Sequence, residues 1–342
     1  MRDIRLGRTG IHAGPTGFGA LPLQRIPVAD AVRLLRRALE GGIAYFDTAR
    51  GYTDSERKLG LAFAGMRDRV VLATKSHART GDAFRRDLAE SLAQLGTDHI
   101  DVHQFHNPSS CPKPGDGSGL YEAMLEAREQ GRVRFIGITN HRLAVAREAV
   151  ESGLYDTVQF PFSYLSDEKD EALVALCAER DVGFIAMKAL AGGLITRSDA
   201  AFASLGRFGN VLPIWGIQRE AELDEFLAHI AAPPARTPAL EEVVRRDRED
   251  LSGEFCRACG YCLPCPAGIE IPTAARMVRL LRRAPTERFV SAEGQAMMRR
   301  IAECTECGHC REHCPYGLDT PELLKRNLAA YEAFLEESRA RS

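Results

Sequence analysis

The 342-residue sequence has little excess charge of either sign. Its 45 basic and 47 acidic side chains leave a formal net charge of −2. Such a chain presents no broad positive field that would attract nucleic-acid phosphates or anionic lipids. We therefore expect neither nucleic acid nor a membrane surface among its partners.

The sequence also lacks long hydrophobic runs. No apolar stretch approaches the roughly 18 residues that a membrane-spanning helix needs. The first ten residues are charged and rich in turn formers, without the apolar segment of a signal peptide. These features predict a cytoplasmic protein, and the length suffices for one large domain with a sizeable core and a smaller second unit.

Short β-rich runs alternate with helical patterns between Phe18 and about Ile217, which is typical of repeated βα units. Eight strands with helices between them make up a closed (β/α)8 barrel, and an open doubly wound sheet is the alternative. The predicted strands are Thr16–Leu21, Ala44–Asp47, Val70–Thr74, Ile100–Phe105, Arg134–Ile138, Thr157–Phe160, Gly183–Met187 and Val211–Gly216. The predicted helices include Val28–Glu40, Ala83–Leu95, Gly119–Gln130, Leu143–Glu151, Lys169–Arg180 and Glu220–Ile230.

The alternating pattern stops at Pro233 and Pro234, because consecutive prolines disfavour both helix and strand. We place a domain boundary there, with an α/β barrel over residues 1–234 and a mostly helical domain over residues 235–342. Helices are predicted in the second domain at Ala239–Asp250, Thr273–Arg283, Ala292–Glu303 and Pro321–Glu336.

Eight of the ten cysteines fall in two runs of the second domain. In each run three cysteines are separated by two residues, and a fourth precedes a proline. This spacing is typical of ferredoxin-like domains with two 4Fe-4S clusters, in which the fourth cysteine of a run ligates the other cluster. The first run has two residues rather than three before its last cysteine. The predicted ligands are Cys256, Cys259 and Cys262 with Cys314 for one cluster, and Cys304, Cys307 and Cys310 with Cys265 for the other.

Zinc is the alternative occupant, since it also takes four cysteines, but zinc sites gain nothing from a third cysteine in each run. The remaining two cysteines have simpler explanations. Cys177 falls at an apolar position of a helix and is expected in the core. Cys111 is expected to be a free thiol in a loop.

Four polar residues follow successive strands of the predicted barrel. Asp47, Lys75 and His106 end or follow the second, third and fourth strands, and Tyr52 lies in the loop after Asp47. Catalytic residues of such barrels lie at this end of the strands. Lys75 would stabilise the phenolate of Tyr52, and Asp47 would orient Lys75. Tyr52 would then protonate a substrate oxygen that His106 holds by a hydrogen bond.

With these residues the sequence resembles the aldo-keto reductase family, and it is similar to the branch of that family with a C-terminal iron–sulfur extension. The resemblance covers nearly all of residues 4–230. It implies a (β/α)8 barrel and carbonyl reduction or alcohol oxidation by hydride transfer with NADPH. The matching segments are Leu6–Gly10, Gly17–Ala20, Phe46–Ala49 with Tyr52, Ser55–Glu56, Leu59–Gly60, Thr74–Lys75, His106 and Ile136–Asn140.

The same resemblance implies a set of cofactor contacts. Asn140 and Gln159 would bind the nicotinamide carboxamide, and Gly216 and Arg219 would lie near the adenosine phosphates. Two positions depart from the family pattern: Met187 stands where many members have an aromatic residue, and Phe226 interrupts the usual phosphate-binding pattern after the eighth strand.

The sequence thus predicts an oxidoreductase that acts on a small-molecule carbonyl or alcohol, with electrons carried by NADPH, by the two clusters, or by both. A ferredoxin or flavodoxin would be the electron partner. Two alternatives stay open: an ordinary NADPH-dependent carbonyl reductase with structural clusters, and a redox-sensing protein without catalysis.

Overall fold

A computed structural model describes residues 3–251, 255–283 and 286–340. Within these residues the chain forms two compact units. The first takes the residues up to Ala189 together with Arg197–Arg245, and the second takes Leu190–Thr196 and the residues from Arg246 onward. The boundary predicted after Pro234 stays a prediction.

The first unit is a closed barrel of eight parallel strands in sequence order, each hydrogen-bonded to the next and the last to the first. The prediction of a (β/α)8 barrel is confirmed, and the open sheet is excluded by the pairing of the first strand with the eighth. The strands are β1 Gly17–Gly19, β2 Tyr45–Asp47, β3 Val71–Ser76, β4 Ile100–His106, β5 Val133–Thr139, β6 Thr157–Pro161, β7 Gly183–Met187 and β8 Val211–Gly216.

Helices pack around the barrel because each presents an apolar face to the strands. In α1, for example, Leu34, Leu35 and Ala38 are buried while charged residues cover the opposite face. The barrel helices are α1 Val28–Glu40, α2 Ser55–Phe63, α3 Gly81–Leu95, α4 Leu120–Glu129, α5 Leu143–Ser152, α6 Glu168–Glu179, α7 Ser198–Leu205 and α8 Glu220–Ala231. The helix α9, Pro238–Asp250, follows them and contains the division between the two units.

The barrel interior towards the N-terminal ends of the strands is an apolar core. Residues before β1 pack against inward-facing side chains of the strands, so that Leu6 and Ile11 share one apolar cluster with Tyr45 and Leu212. Arg5 and His12 form an antiparallel bridge in this N-terminal segment. Because this part of the interior is filled by side chains, a substrate can reach the barrel only from the C-terminal ends of the strands.

The second unit is helical. It contains α10 Ile271–Ala274, α11 Met277–Arg283, α12 Glu287–Val290, α13 Ala292–Arg299, α14 His309–Glu312 and α15 Thr320–Ala340. The single helix predicted over Thr273–Arg283 is broken at Ala275 and Arg276, so two helices replace it. Leu190–Thr196 belongs to this unit, where the Gly192 carbonyl accepts a 2.7 Å hydrogen bond from Arg276. No helix in the described ranges is long and apolar enough to cross a membrane.

Candidate active site and cluster-binding cysteines

A buried ion pair lies at the C-terminal end of the barrel. The Nζ atom of Lys75 is 2.6 Å from Oδ2 of Asp47, and it donates a second hydrogen bond of 2.7 Å to the Thr48 carbonyl. The side chains are 1% and 4% exposed. Asp47 ends β2 and Lys75 lies in β3, so the alternation of side chains along paired strands directs both into the barrel.

Two glutamines complete the surroundings of Asp47. Gln104 donates from Nε2 to Oδ1 at 3.1 Å, and Gln159 donates to Oδ2 at 3.4 Å. In both glutamines the amide oxygen is buried without a partner among the described residues. The sequence reasoning missed Gln104, although its position two residues before His106 on β4 was a signal that both face the barrel interior.

Gly137 of β5 makes the room that Gln104 occupies. A Cβ atom at Gly137 would lie 2.8 Å from Cγ of Gln104 and 2.5 Å from Oγ1 of Thr157. Both distances are too short for van der Waals contact. The glycine is therefore required by packing rather than by backbone conformation.

The loop that carries Tyr52 is held to β3. The backbone amides of Thr48 and Arg50 donate to the carbonyls of Ala73 and Lys75 at 2.8 and 2.9 Å. The buried carboxylate of Glu56 accepts a 2.7 Å hydrogen bond from Thr74 and an ion-paired hydrogen bond from Arg50. These bonds fix the path of the loop beside Lys75.

Tyr52 lies between the ion pair and His106. Its ring centroid is 5.0 Å from Nζ of Lys75 and 5.9 Å from the His106 ring, which meets it edge-on. Burial, followed by the charge of Asp47, raises the pKa of Tyr52. The Lys75 ammonium is also bonded to Asp47 and Thr48, and its predicted role in stabilising the Tyr52 phenolate stays a prediction. The raised pKa keeps Tyr52 protonated before any reaction.

His106 lies at the end of β4, beside Tyr52 and His77. Burial and then the neighbouring charge of Lys75 lower its pKa well below the ordinary value. Its ring stacks on that of His77 with centroids 3.7 Å apart and planes 14° apart, and Nδ1 of His77 lies 3.1 Å from the His106 carbonyl oxygen. His77, two residues after Lys75, was not singled out, since nothing in the sequence shows that a residue after β3 stacks on the last residue of β4.

The residues predicted to bind the nicotinamide lie in neighbouring strands or loops. Gln159 donates a hydrogen bond to the Asp47 carboxylate. Asn140 follows β5; its Nδ2 donates to the Pro108 carbonyl at 2.8 Å, and its Oδ1 accepts from the Arg142 amide at 2.8 Å. Met187 ends β7 with its sulfur 3.7 Å from Oγ1 of Thr139. The structure thus brings this group to the same end of the barrel as Lys75.

The residues predicted near the phosphates are placed differently from one another. Gly216 ends β8, paired with Gly19 of β1. Arg219 precedes α8, where its side chain is 73% exposed and pairs with Glu222 at 2.6 Å. Phe226 is buried and stacks on Trp215, with ring centroids 4.7 Å apart. Phe226 is therefore a core residue in this structure.

In the second unit, the two cysteine runs meet at one cavity. Cys265 of the first run lines it together with Cys304, Cys307 and Cys310 of the second run, and Cys262 also borders it. Cys307 is exposed. Burial and the neighbouring Cys256 and Cys259 thiols raise the pKa of Cys262 to about 12. Since thiolates are the ligands of iron, binding at these thiols releases protons.

Two cysteines and the two histidines within the second run are not among the predicted cluster ligands. Cys177 is fully buried in α6, as predicted. Cys111 is a free cysteine in the loop after β4, as predicted, and its side chain is buried. The rings of His309 and His313 pack together, with centroids 4.1 Å apart. In the part of the chain that the structure describes, no group of three or more His, Cys, Asp or Glu side chains has the geometry of a single-ion site.

Two family models match the sequence. Residues 13–239 match the aldo/keto reductase family, and residues 255–319, which include all eight cysteines of the two runs, match a 4Fe-4S dicluster domain. The zinc alternative loses its support with the second match.

Among curated proteins, the chain is 31% identical over 334 residues to the uncharacterized oxidoreductase YrpG of Bacillus subtilis, covering 80% of this chain and 99% of that protein. It is 32% identical over 210 residues to L-galactose dehydrogenase of Arabidopsis thaliana, covering 56% of this chain and 66% of that enzyme. It is 28% identical over 218 residues to the uncharacterized oxidoreductase YqkF of Bacillus subtilis, with coverages of 60% and 70%.

Among solved structures, an aldo-keto reductase from Klebsiella pneumoniae in complex with NADPH superposes with a TM-score of 0.61 at 23% identity, over 72% of this chain and 94% of that one. The holo form of an aldo-keto reductase from Bacillus halodurans gives 0.63 at 22% identity, over 72% and 96%. At these identities the likeness shows the barrel fold.

Proposed function

The chain belongs to the aldo/keto reductase family and carries a 4Fe-4S dicluster domain, and we propose from this that it reduces the carbonyl group of a small molecule with NADPH at Tyr52. The observation that carries the proposal is the buried Lys75–Asp47 pair beside the Tyr52 ring. Burying two charges costs desolvation free energy that their attraction offsets only in part. A buried ion pair at the mouth of a barrel therefore points to a functional role, such as orienting a proton donor.

The proposed roles follow from the protonation states. Tyr52 is protonated before the reaction, and its hydroxyl donates that proton to the carbonyl oxygen as negative charge develops there. His106 is neutral and donates a hydrogen bond to the same oxygen as negative charge develops there. Lys75 then faces the phenolate that Tyr52 becomes, and a proton from solvent restores the phenol. When bound, NADPH supplies the hydride to the carbonyl carbon.

The residues present fit a nicotinamide. The amide oxygen of Gln159 is buried and has no partner among the described residues, so it needs a donor such as the NH2 group of a carboxamide. Asn140 already makes two hydrogen bonds, and its amide retains one further N–H and one further lone pair. Gly216 and Arg219 are the proposed residues near the phosphates. The structural relative from Klebsiella pneumoniae was crystallised in complex with NADPH, which supports NADPH as the cofactor that we propose for this chain.

For the second domain, proposed as residues 235–342, we propose crossed ligation of two 4Fe-4S clusters. Cys256, Cys259, Cys262 and Cys314 would hold one cluster, and Cys304, Cys307, Cys310 and Cys265 would hold the other. The common cavity lined by Cys265 and the three cysteines of the second run supports this pairing. When bound, such clusters store single electrons. The exposure of Cys307 suits exchange with a ferredoxin or flavodoxin.

An anaerobic titration of cluster-replete protein with NADPH, with and without a carbonyl substrate, tests the proposal. Visible absorption and electron paramagnetic resonance follow the clusters, and NADPH fluorescence follows binding. Reduction of the clusters supports one electron path through both parts of the chain. Tight NADPH binding and substrate reduction with oxidised clusters would support a carbonyl reductase with structural clusters. Absence of NADPH binding would contradict the proposed reaction and favour a redox sensor.

A further inference from the structure

The loops after β3 and β5 are basic. Residues 77–80 and 140–142 contain two arginines, two histidines and no acidic residue. These four side chains are His77, Arg79, His141 and Arg142. The whole chain is slightly acidic by comparison, with a net charge of −2. Basic residues are therefore concentrated at the mouth of the barrel near these two loops.

Both loops border the segment that begins with His106. His77 stacks on His106 at 3.7 Å, as described above. On the other side, the His141 amide donates to Oδ1 of Asn107 at 3.1 Å, and Asn140 donates to the Pro108 carbonyl. The two basic loops thus flank the residue that we assign to the substrate oxygen.

The charges act on His106 itself. After burial, the causes that lower its pKa are Lys75, His77 and His141. Arg79 likewise lowers the pKa of His77, while Asp87 of α3 acts in the opposite direction and also accepts a hydrogen bond from Ser76. Lys75 thus lies within electrostatic reach of His106, and Arg79 lies within electrostatic reach of the stacked His77.

Three acidic residues near the mouth are paired with cations. Asp47 pairs with Lys75, Glu56 with Arg50, and Asp54 with Lys58. In contrast, neither Arg79 nor Arg142 has a carboxylate within ion-pair distance in the described ranges, and Arg79 is exposed. The arginines of the two loops are thus available to a ligand.

We propose that the substrate is an anion: a carbonyl compound that also carries a carboxylate or phosphate group, which Arg79 and Arg142 bind while the carbonyl faces Tyr52 and His106. Arginine is suited to this task because its planar guanidinium forms paired hydrogen bonds with such groups. The inference rests on the proposed function for the position of the reacting carbonyl. The preference of the site for a negatively charged ligand does not depend on whether that ligand is reduced.

The test compares two probes of the same shape, 4-carboxybenzaldehyde and its neutral amide 4-formylbenzamide. Binding of each to the full-length, cluster-replete protein is measured by titration calorimetry, which requires no turnover, and NADPH-dependent reduction is measured in parallel. The variants are Arg79→Gln and Arg142→Gln. The matched control is Arg69→Gln, which removes the same charge just before β3, roughly 20 Å away at the other end of that strand.

We expect the carboxylate to bind about tenfold or more tightly than the amide, as a charge-assisted hydrogen bond predicts. Arg79→Gln or Arg142→Gln should reduce this preference, Arg69→Gln should retain it, and added salt should weaken it in the wild type. Equal affinities for the two probes, or a preference that persists in both loop variants, would overturn the proposal. Preferential binding without reduction of either probe would support the anion site and contradict the proposed reaction.

Discussion

Nζ of Lys75 lies 2.6 Å from the Asp47 carboxylate inside the barrel, and Gln104 and Gln159 donate to the same carboxylate at 3.1 and 3.4 Å. Asp47 is thus the acceptor at which β2, β3, β4 and β6 meet. The charge of Lys75 is held by Asp47 and the Thr48 carbonyl, which explains why burial dominates the pKa of Tyr52. Lys75 and Asp47 thus occupy fixed positions beside Tyr52, the proton donor that we propose.

Lys75→Met should destabilise the barrel. The substitution leaves Asp47 charged, buried and without its cation, which costs about 3–5 kcal/mol in comparable cases. Trp215, the single tryptophan, is buried in β8, so its fluorescence during denaturant unfolding reports on the barrel. The double variant Asp47→Asn with Lys75→Met is the control and should recover part of the loss. Equal stability of Lys75→Met and the wild type would show that the pair is not held as described.

His103 should make the barrel sensitive to mild acid. It is fully buried, both ring nitrogens lack partners among the described residues, and burial lowers its pKa to about 3. Below the unfolded value of about 6.5, the unfolded chain binds a proton that the folded chain does not. The free energy of unfolding should therefore fall as the pH drops from about 6.5 towards 3, by about 1.4 kcal/mol for each pH unit from this residue.

The variant His103→Leu tests this dependence. It removes the titrating group while keeping an apolar side chain against Phe84, whose ring is 5.0 Å from that of His103. Unfolding of both proteins is followed by Trp215 fluorescence at several pH values between 6.5 and 4. The variant should lose stability less steeply than the wild type, and parallel slopes would contradict the assignment.

Gly137→Ala should weaken the hydrogen bond from Gln104 to Asp47. The new Cβ would lie 2.8 Å from Cγ of Gln104, so Gln104 has to move and its bond to Asp47 weakens. Overpacking of this kind costs about 1–3 kcal/mol. Gln104→Leu removes the same bond without adding volume, and it should lower kcat with a smaller loss of stability. Unchanged stability and kcat in Gly137→Ala would show that Gln104 has room elsewhere.

Gln159→Leu should weaken NADPH binding. The amide oxygen of Gln159 is the buried acceptor that we assign to the carboxamide, and its loss leaves the bound donor unpaired. We expect the Kd to rise about tenfold, as loss of one hydrogen bond predicts. Fluorescence titration measures the Kd, and Gln130→Leu at the exposed end of α4 is the control. A Kd that does not change would remove Gln159 from the site.

Crossed ligation of the clusters has a distinctive consequence. If Cys304, Cys307 and Cys310 are all changed to serine, one cluster is lost and about half of the iron with it. On that background, Cys314→Ser should destabilise the remaining cluster, whereas Cys265→Ser should leave it intact. Iron analysis and electron paramagnetic resonance distinguish the two variants. The opposite outcome would show that each run of cysteines holds its own cluster.

Much of the barrel could be predicted from the sequence because its signals are local. Each observed strand overlaps a predicted one, since short β-rich runs bounded by turn residues alternate with amphipathic helices. Strand β3 extends two residues beyond the prediction, to Ser76, because pairing with β4 continues past the apolar residues. Asp47, Lys75, Tyr52 and His106 lie together as predicted, since the ends of parallel strands meet at one mouth.

The missed features depend on contacts between distant parts of the chain. His77, which follows β3, stacks on His106 at the end of β4, and Gln104 needs the space left by Gly137 in the neighbouring strand. Neither relation leaves a periodic pattern. The sequence also does not show that Leu190–Thr196 belongs to the second unit. That segment follows β7 directly and has the pattern of an ordinary barrel loop.

The direct test of the central claim is the rate of NADPH oxidation in a single turnover with a carbonyl substrate, compared between the wild type and Tyr52→Phe. The substitution removes the hydroxyl and keeps the ring, so the Kd for NADPH should not change. If Tyr52 donates the proton, the rate should fall by about 100-fold to 10,000-fold. A variant that binds NADPH and reduces the carbonyl at the wild-type rate would contradict the account.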